Sequence, residues 1–199
     1  MTIHGIPANR AVDATLAPAP ARVLTADRLF TGSTTSHIAN GAVVVRDGVV
    51  AWAGPAAELP AEHAGLPRTD HGAATILPGL IETHAHLGSY ARVTQPDVPD
   101  AARHEVGFQA LSSVKIARQL ASVGVTTVQS LGADYFLDVT LREAIARGII
   151  EGPRIVAAGA PVTPTGGHSW QRGSETDSLA DIRHQVRDHH KAGTDAIKV

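Results

Sequence analysis

From Val23 onward the chain alternates apolar and polar positions in the manner of β-strands. Ala42-Val43-Val44-Val45-Arg46 and Val49-Val50-Ala51-Trp52-Ala53 flank Asp47-Gly48. That is a hairpin signal, because Asp-Gly supplies the positive φ angles a two-residue turn needs. Asn40-Gly41 marks another turn just before it. Residues 23–75 therefore read as a small β domain, with a loose loop from about Pro55 to Arg68. Residues 1–22, with Ala17-Pro18-Ala19-Pro20, lack periodicity and read as an extended, disordered lead-in.

After His86 the rhythm changes to alternating helix and strand. Ala101 to Val123 reads as a helix, with Val106, Ala110, Leu111, Val114, Ala117, Leu120 and Ala121 on one face. Gly124 suits the position past its end. Val125 to Leu131 is a strand, Asp138 to Arg147 a helix closed by Gly148, and Arg154 to Ala158 a third strand. A loop rich in Pro and Gly runs through Gly167. Ser178 caps a further helix that stops at Gly193, and Ala196-Ile197-Lys198-Val199 opens a fourth strand. Repeated β-α units of this length imply a parallel sheet with crossover helices. The fold class is therefore α/β, with residues 76–199 forming the N-terminal half of a (β/α)8 TIM barrel behind a small β-sandwich-type domain. A whole barrel takes roughly 250 residues, so the expectation is the N-terminal part of a longer enzyme. The alternative is a smaller open sheet.

Chemistry concentrates where the first barrel strand ends. In Thr75-Ile76-Leu77-Pro78-Gly79-Leu80-Ile81-Glu82-Thr83-His84-Ala85-His86-Leu87, an apolar strand delivers two histidines two residues apart. Residues so spaced in a strand share a face. Two neighbouring neutral imidazoles suit a divalent metal, although two surface histidines near a turn fit the bare pattern as well. Lys198 is the second candidate, one of only three lysines, set in a strand where an unpaired charge is costly, although a strand-end lysine that reaches out to solvent fits the pattern too. His168, in Thr165-Gly166-Gly167-His168-Ser169, lies on the loop after the third strand. The loop's glycines would let backbone approach a ligand closely, and the alternative is a plain surface histidine. His184, His189 and His190 fall on a polar helix and read as solvated, and His71 and His104 need no function. Asp97 and Asp100 lie in a Pro-rich connector.

Composition narrows the classes. The net charge of −2 offers no basic field for nucleic acid or an anionic membrane. The absence of cysteine removes disulfides and thiolate chemistry. No apolar run suggests a membrane span and no secretory signal is evident, so a cytoplasmic location is the default expectation.

The His-x-His after Pro-Gly resembles the first barrel strand of the metal-dependent amidohydrolase superfamily. Gly124-Val125-Thr126-Thr127-Val128, Gly152-Pro153-Arg154-Ile155, Thr165-Gly166-Gly167-His168 and Gly193-Thr194-Asp195-Ala196-Ile197-Lys198-Val199 are similar to its imidazolonepropionase and Xaa-Pro dipeptidase branch. The resemblance implies that His84 and His86 bind the more buried metal. It implies that Lys198 becomes a carbamate by reaction with carbon dioxide and bridges two metals. A hydroxide between them would attack an amide, cyclic amide or dipeptide C–N bond. It also implies two further histidines and an aspartate from later strands, which this chain does not contain. His168 would contact substrate. One or two divalent ions are expected, zinc by default, with manganese or cobalt also fitting. The partner is a small amide or dipeptide, and an open half-barrel edge predicts self-association or a missing C-terminal half. Two other readings stand: a non-catalytic metal-binding fragment, and a deaminase of the same superfamily, which keeps His-x-His without the lysine.

Overall fold

The structure is a computed structural model that describes residues 20–33, 36–88, 105–171 and 173–199. Asp97, Asp100, His104 and most of the lead-in lie outside the described residues. The chain divides into two compact units, with the boundary in sequence between Pro78 and Gly79.

The first unit is built on one mixed five-stranded sheet. Strands β1 (Arg22–Leu29), β2 (Ile38–Arg46) and β3 (Val49–Pro55) pair antiparallel, while β4 (Arg68–Asp70) and β5 (Thr75–Ile76) run parallel to β1. The Asp47-Gly48 turn joins β2 to β3 as predicted. Asn40-Gly41 is not a turn. Both residues lie inside β2, Asn40 at φ 49°, and the register to β1 continues past them. Gly41 is needed there because a Cβ would sit 2.1 Å from Leu29 Cβ. The loop from Pro55 to Arg68 is not loose either. Two 3-10 turns, Ala56–Glu58 and Ala61–His63, carry Leu59 and Leu66 onto the core of Val23, Ala42 and Val44.

The second unit has the β/α order expected. Strands β6 (Leu80–Ala85), β7 (Val125–Ser130) and β8 (Arg154–Ala157) form a parallel three-stranded sheet. Helix α1 (Val106–Ser122) packs on β7, and α2 (Leu137–Ala146) packs on β8. Leu87, Ala117, Val128, Val139, Leu141, Ile155 and Ala157 make the core between them. Short strands β9 (Val162–Thr163) and β10 (Ser174–Glu175) follow, then helix α3 (Leu179–Ala192). This is the sheet arrangement of an incomplete TIM barrel behind a mixed β-sheet domain. No described helix is long and apolar enough to cross a membrane.

Four local expectations fail, each for a physical reason. β6 is an edge strand, so Leu80 and Ile81 are 48% and 66% exposed rather than buried. The buried stripe of α1 is Gln109, Ser112, Ser113 and Ala117, while Leu111 is 73% exposed. Polar residues are buried there because the Ser113 hydroxyl lies 2.7 Å from the Leu87 carbonyl, past the last residue of β6. His189 is fully buried, its Nδ1 2.8 Å from the Gln185 carbonyl and its Nε2 2.7 Å from that of Ala160; His184 and His190 are exposed. Residues 196–199 form no regular strand, since the Asp195 and Ala196 amides share one carbonyl, that of Ala157, instead of starting a ladder.

Candidate functional site

Strand period decides which way the histidines face. Ala85 and Leu87 pack into the core, so His84 and His86 project from the opposite face. Their ring centroids are 5.2 Å apart, with the planes at 60°. Glu82 lies two residues before His84, and its Oε1 accepts the His84 backbone N–H at 2.9 Å. A cleft of about 60 Å³ is lined by His84, His86, Leu131, Gly132, Pro161, His168, Ser169 and Lys198. All four side chains singled out in the sequence therefore line one space. Leu131 and Gly132 follow β7, Pro161 follows β8, and Lys198 follows α3. The carboxyl ends of parallel strands are where β/α folds place their chemistry.

Gly132 is not conspicuous in the sequence, yet it sets how close the chain can pass to His86. A Cβ there would lie 2.7 Å from His86 Nδ1 and 3.2 Å from Cε1. Gly132→Ala is therefore expected to turn the His86 ring and, if His86 holds a metal ion, to weaken that binding by at least about tenfold. Chelator competition on the full-length protein measures this, and wild-type affinity in the variant would show that the ring adapts without loss. The sequence signal is no more than a glycine directly after a strand.

The loop bearing His168 is clamped by carboxylates. Asp177 Oδ1 accepts the Thr165 backbone N–H at 2.9 Å, and its Oδ2 accepts the Thr165 hydroxyl at 2.5 Å. Glu175 Oε1 accepts the Gly166 N–H at 2.9 Å. The Thr165 hydroxyl and then its amide hold the Asp177 carboxyl below the usual carboxylate range. A carboxyl lowered in the folded state contributes stability above its unfolded value of about 4, and this is lost as pH falls through the lower folded value. The loop should thus loosen only in acid below about pH 4. Trp170 sits on this loop. Its fluorescence in a Trp52→Phe background should change in that acid range, and Asp177→Asn should show the loosened signal already at neutral pH.

Asp138 joins strand ends to a helix start. It is fully buried, and its carboxylate accepts the backbone N–H groups of Val139 at 2.9 Å, Ala158 at 3.1 Å and Gly159 at 2.9 Å. Burial pushes its carboxyl up, and the amides of Gly159, Val139 and Ala158 pull against that. Gly159 in turn accepts the Ala133 N–H at 3.0 Å, beside Gly132 in the cleft wall. In the sequence Asp138 reads only as the start of a helix.

Among the described residues no three of His, Cys, Asp and Glu cluster as metal ligands. The cleft lining carries three imidazoles, those of His84, His86 and His168, and the amine of Lys198.

The sequence profile of the amidohydrolase family matches residues 75–199, and that of a bacterial imidazolonepropionase-like composite domain matches residues 41–65. Imidazolonepropionase of Paracoccus denitrificans is 32% identical over 124 residues, which are 51% of this chain and 31% of that protein. Ochratoxinase of Aspergillus niger is 29% identical over 132 residues, 65% of this chain and 26% of that protein. Among solved structures, an Xaa-Pro dipeptidase with bound methionine superposes at TM-score 0.74 and 24% identity over 89% of this chain. A. niger ochratoxinase superposes at TM-score 0.73 and 21% identity over 90% of it. The chain spans 46% of each of those two structures. With the family profile running over more than half of its length, the chain belongs to the amidohydrolase family.

Proposed function

We propose that the chain carries the first metal-binding half of a hydrolase that cleaves a C–N bond in an amide, cyclic amide or dipeptide. The observation that carries this is the convergence of His84, His86 and Lys198 on one cleft at the carboxyl side of a parallel sheet. Members of this superfamily typically use divalent metal ions. The donor set fits such an ion if Lys198 changes its charge state. As an ammonium it would repel a cation. As a neutral amine it can attack carbon dioxide, forming an N–C bond and releasing a proton, to leave an anionic carbamate with two oxygen donors. Two imidazoles and a carbamate then form a mixed nitrogen and oxygen site suited to zinc, manganese or cobalt.

In this reading His84 and His86 hold the ion from the end of β6, and Glu82 fixes the backbone between them and the strand through its bond to the His84 amide. Lys198, once carbamylated, would supply the oxygen donors for a divalent metal. A bound divalent ion would lower the pKa of a water and polarise the scissile carbonyl. His168 orients substrate from its clamped loop, where the Asp177 and Glu175 carboxylates limit its movement. Relatives named imidazolonepropionase, Xaa-Pro dipeptidase and ochratoxinase mark the range of substrates to screen first.

The test is a panel of amide and dipeptide substrates offered to the full-length protein before and after chelation. Turnover should vanish on chelation and return with zinc, manganese or cobalt plus bicarbonate. Turnover that ignores the chelator would sink the reading. A narrower second reading, a metal-binding chain without turnover, is tested on the 199-residue chain alone with metal and bicarbonate supplied. By itself it is expected to bind metal without turnover.

A further inference from the structure

Lys198 sits at the end of a segment with little backbone pairing to hold it. The Asp195 and Ala196 amides both donate to the Ala157 carbonyl, at 2.7 and 3.2 Å, and the Lys198 carbonyl accepts the Val162 N–H at 2.8 Å. A segment laid along a sheet edge with so few bonds is free to slip, and a slip of one residue turns every side chain to the other face. Here such a slip would present Ile197 to the histidines in place of Lys198.

A side-chain lock stands where the ladder is missing. Asp195 Oδ2 accepts from Arg142 Nη1 at 2.5 Å and from the Ala157 backbone N–H at 2.9 Å. Arg142 Nη2 donates to the Gly193 carbonyl at 2.9 Å and to Glu143 Oε1 at 3.1 Å. The Arg142 and Asp195 side chains are only 16% and 25% exposed. Three elements therefore meet on one ion pair: α2 through Arg142, β8 through Ala157, and the end of α3 through Gly193. A guanidinium suits this junction because its rigid fork aims several donors at once, which an ammonium cannot do with the same geometry.

We propose that the Arg142–Asp195 pair is the positioning device for Lys198, fixing the register in which the chain leaves α3 so that the lysine faces His84 and His86. The proposal rests on the reading of Lys198 as a carbamate ligand, but the lock itself can be measured without it. Asp195→Asn and Arg142→Lys are made in the full-length protein, with Arg147→Ala as a control that removes the bonds to the Glu143 carboxylate and carbonyl and touches no atom of Asp195. Two readouts are taken: hydrogen exchange of the Val162 amide, and the carbamate signal in ¹³C NMR after loading with zinc and ¹³C-bicarbonate. In both lock variants Val162 should exchange at least about tenfold faster. The bicarbonate needed for half-maximal carbamate should rise by at least about tenfold. Arg147→Ala should change neither. Wild-type protection of Val162 in the folded lock variants overturns the proposal. A wild-type protein with no carbamate signal defeats the carbamate reading instead, and Val162 exchange alone then decides the lock. Should Asp195→Asn fail to fold, Arg142→Lys, which keeps the charge and loses the fork, decides between the two outcomes.

Discussion

On the proposed reading of Lys198 as a carbamate ligand in an amide hydrolase, replacing it with alanine is expected to lower turnover by the full-length protein about a thousandfold or more. It should also remove one metal ion per protomer. The reason is charge. An imidazole brings no negative charge to a cation, and Lys198 is the side chain in the cleft that carbamylation would make anionic. Without the carbamate, the donor set would lose the anionic protein ligand that balances the charge of a bound divalent ion. A short carboxylate such as acetate, added to the Lys198→Ala protein, should recover part of the lost turnover, because it can place two oxygens where the carbamate stood. A deaminase of the same superfamily does not use this lysine, so unchanged metal content and unchanged turnover in Lys198→Ala would decide for that reading. Loss of turnover with unchanged metal content would assign the lysine to substrate contact and remove it from the metal site.

The β/α order, and the placing of His84, His86, His168 and Lys198 about one cleft, are legible in the sequence for a physical reason. Parallel β/α units leave a short-range record: an apolar strand, a turn, an amphipathic helix and a glycine at its end. Ser178 caps α3 as expected, its hydroxyl accepting the Asp181 N–H at 3.2 Å, and Gly193 ends the helix at φ 89°. His84 and His86 are visible because their two-residue spacing fixes a shared face by local geometry alone. What stays hidden depends on partners distant in the chain. His189 reads as solvated on a polar helix, yet the Ala160 carbonyl, 29 residues earlier, meets its Nε2 in a buried site. Leu111 reads as core and Ser113 does not, because nothing in α1 announces that the Leu87 carbonyl needs a donor. Arg142 and Asp195 lie 53 residues apart, so their pairing has no local pattern to reveal it. The same holds for Thr165 and Asp177 across the His168 loop.

Asp138 is the residue whose loss should cost the second unit most stability. Its carboxylate accepts three backbone N–H groups in a fully buried position, two of them at the end of β8. Asp138→Ala strands those donors away from water and leaves a small void, so the expected loss is about 3 kcal/mol or more. Asp138→Asn keeps one acceptor oxygen and points an amide at donors on the other side, and should fall between alanine and wild type. Urea unfolding of the full-length protein, followed on a probe in the second unit, should show the midpoint lowered with little change in slope. The pH dependence carries a second signature. Burial raises the Asp138 carboxyl above its ordinary value, so the folded state holds its proton at pH values where the unfolded chain has released it. Stability from this group is then fully present below about pH 4 and falls as pH rises through the raised folded value. The backbone bonds to the ionised form limit that fall without reversing it. Asp138→Asn has no proton to release and should lack this component, so the stability gap between wild type and the asparagine variant should be wider in acid than at neutral pH. A gap that instead widens with rising pH would mean that the three amides outweigh burial and hold Asp138 ionised. A loss below about 1 kcal/mol in Asp138→Ala would mean that water reaches Ala158 and Gly159 when the carboxylate is gone.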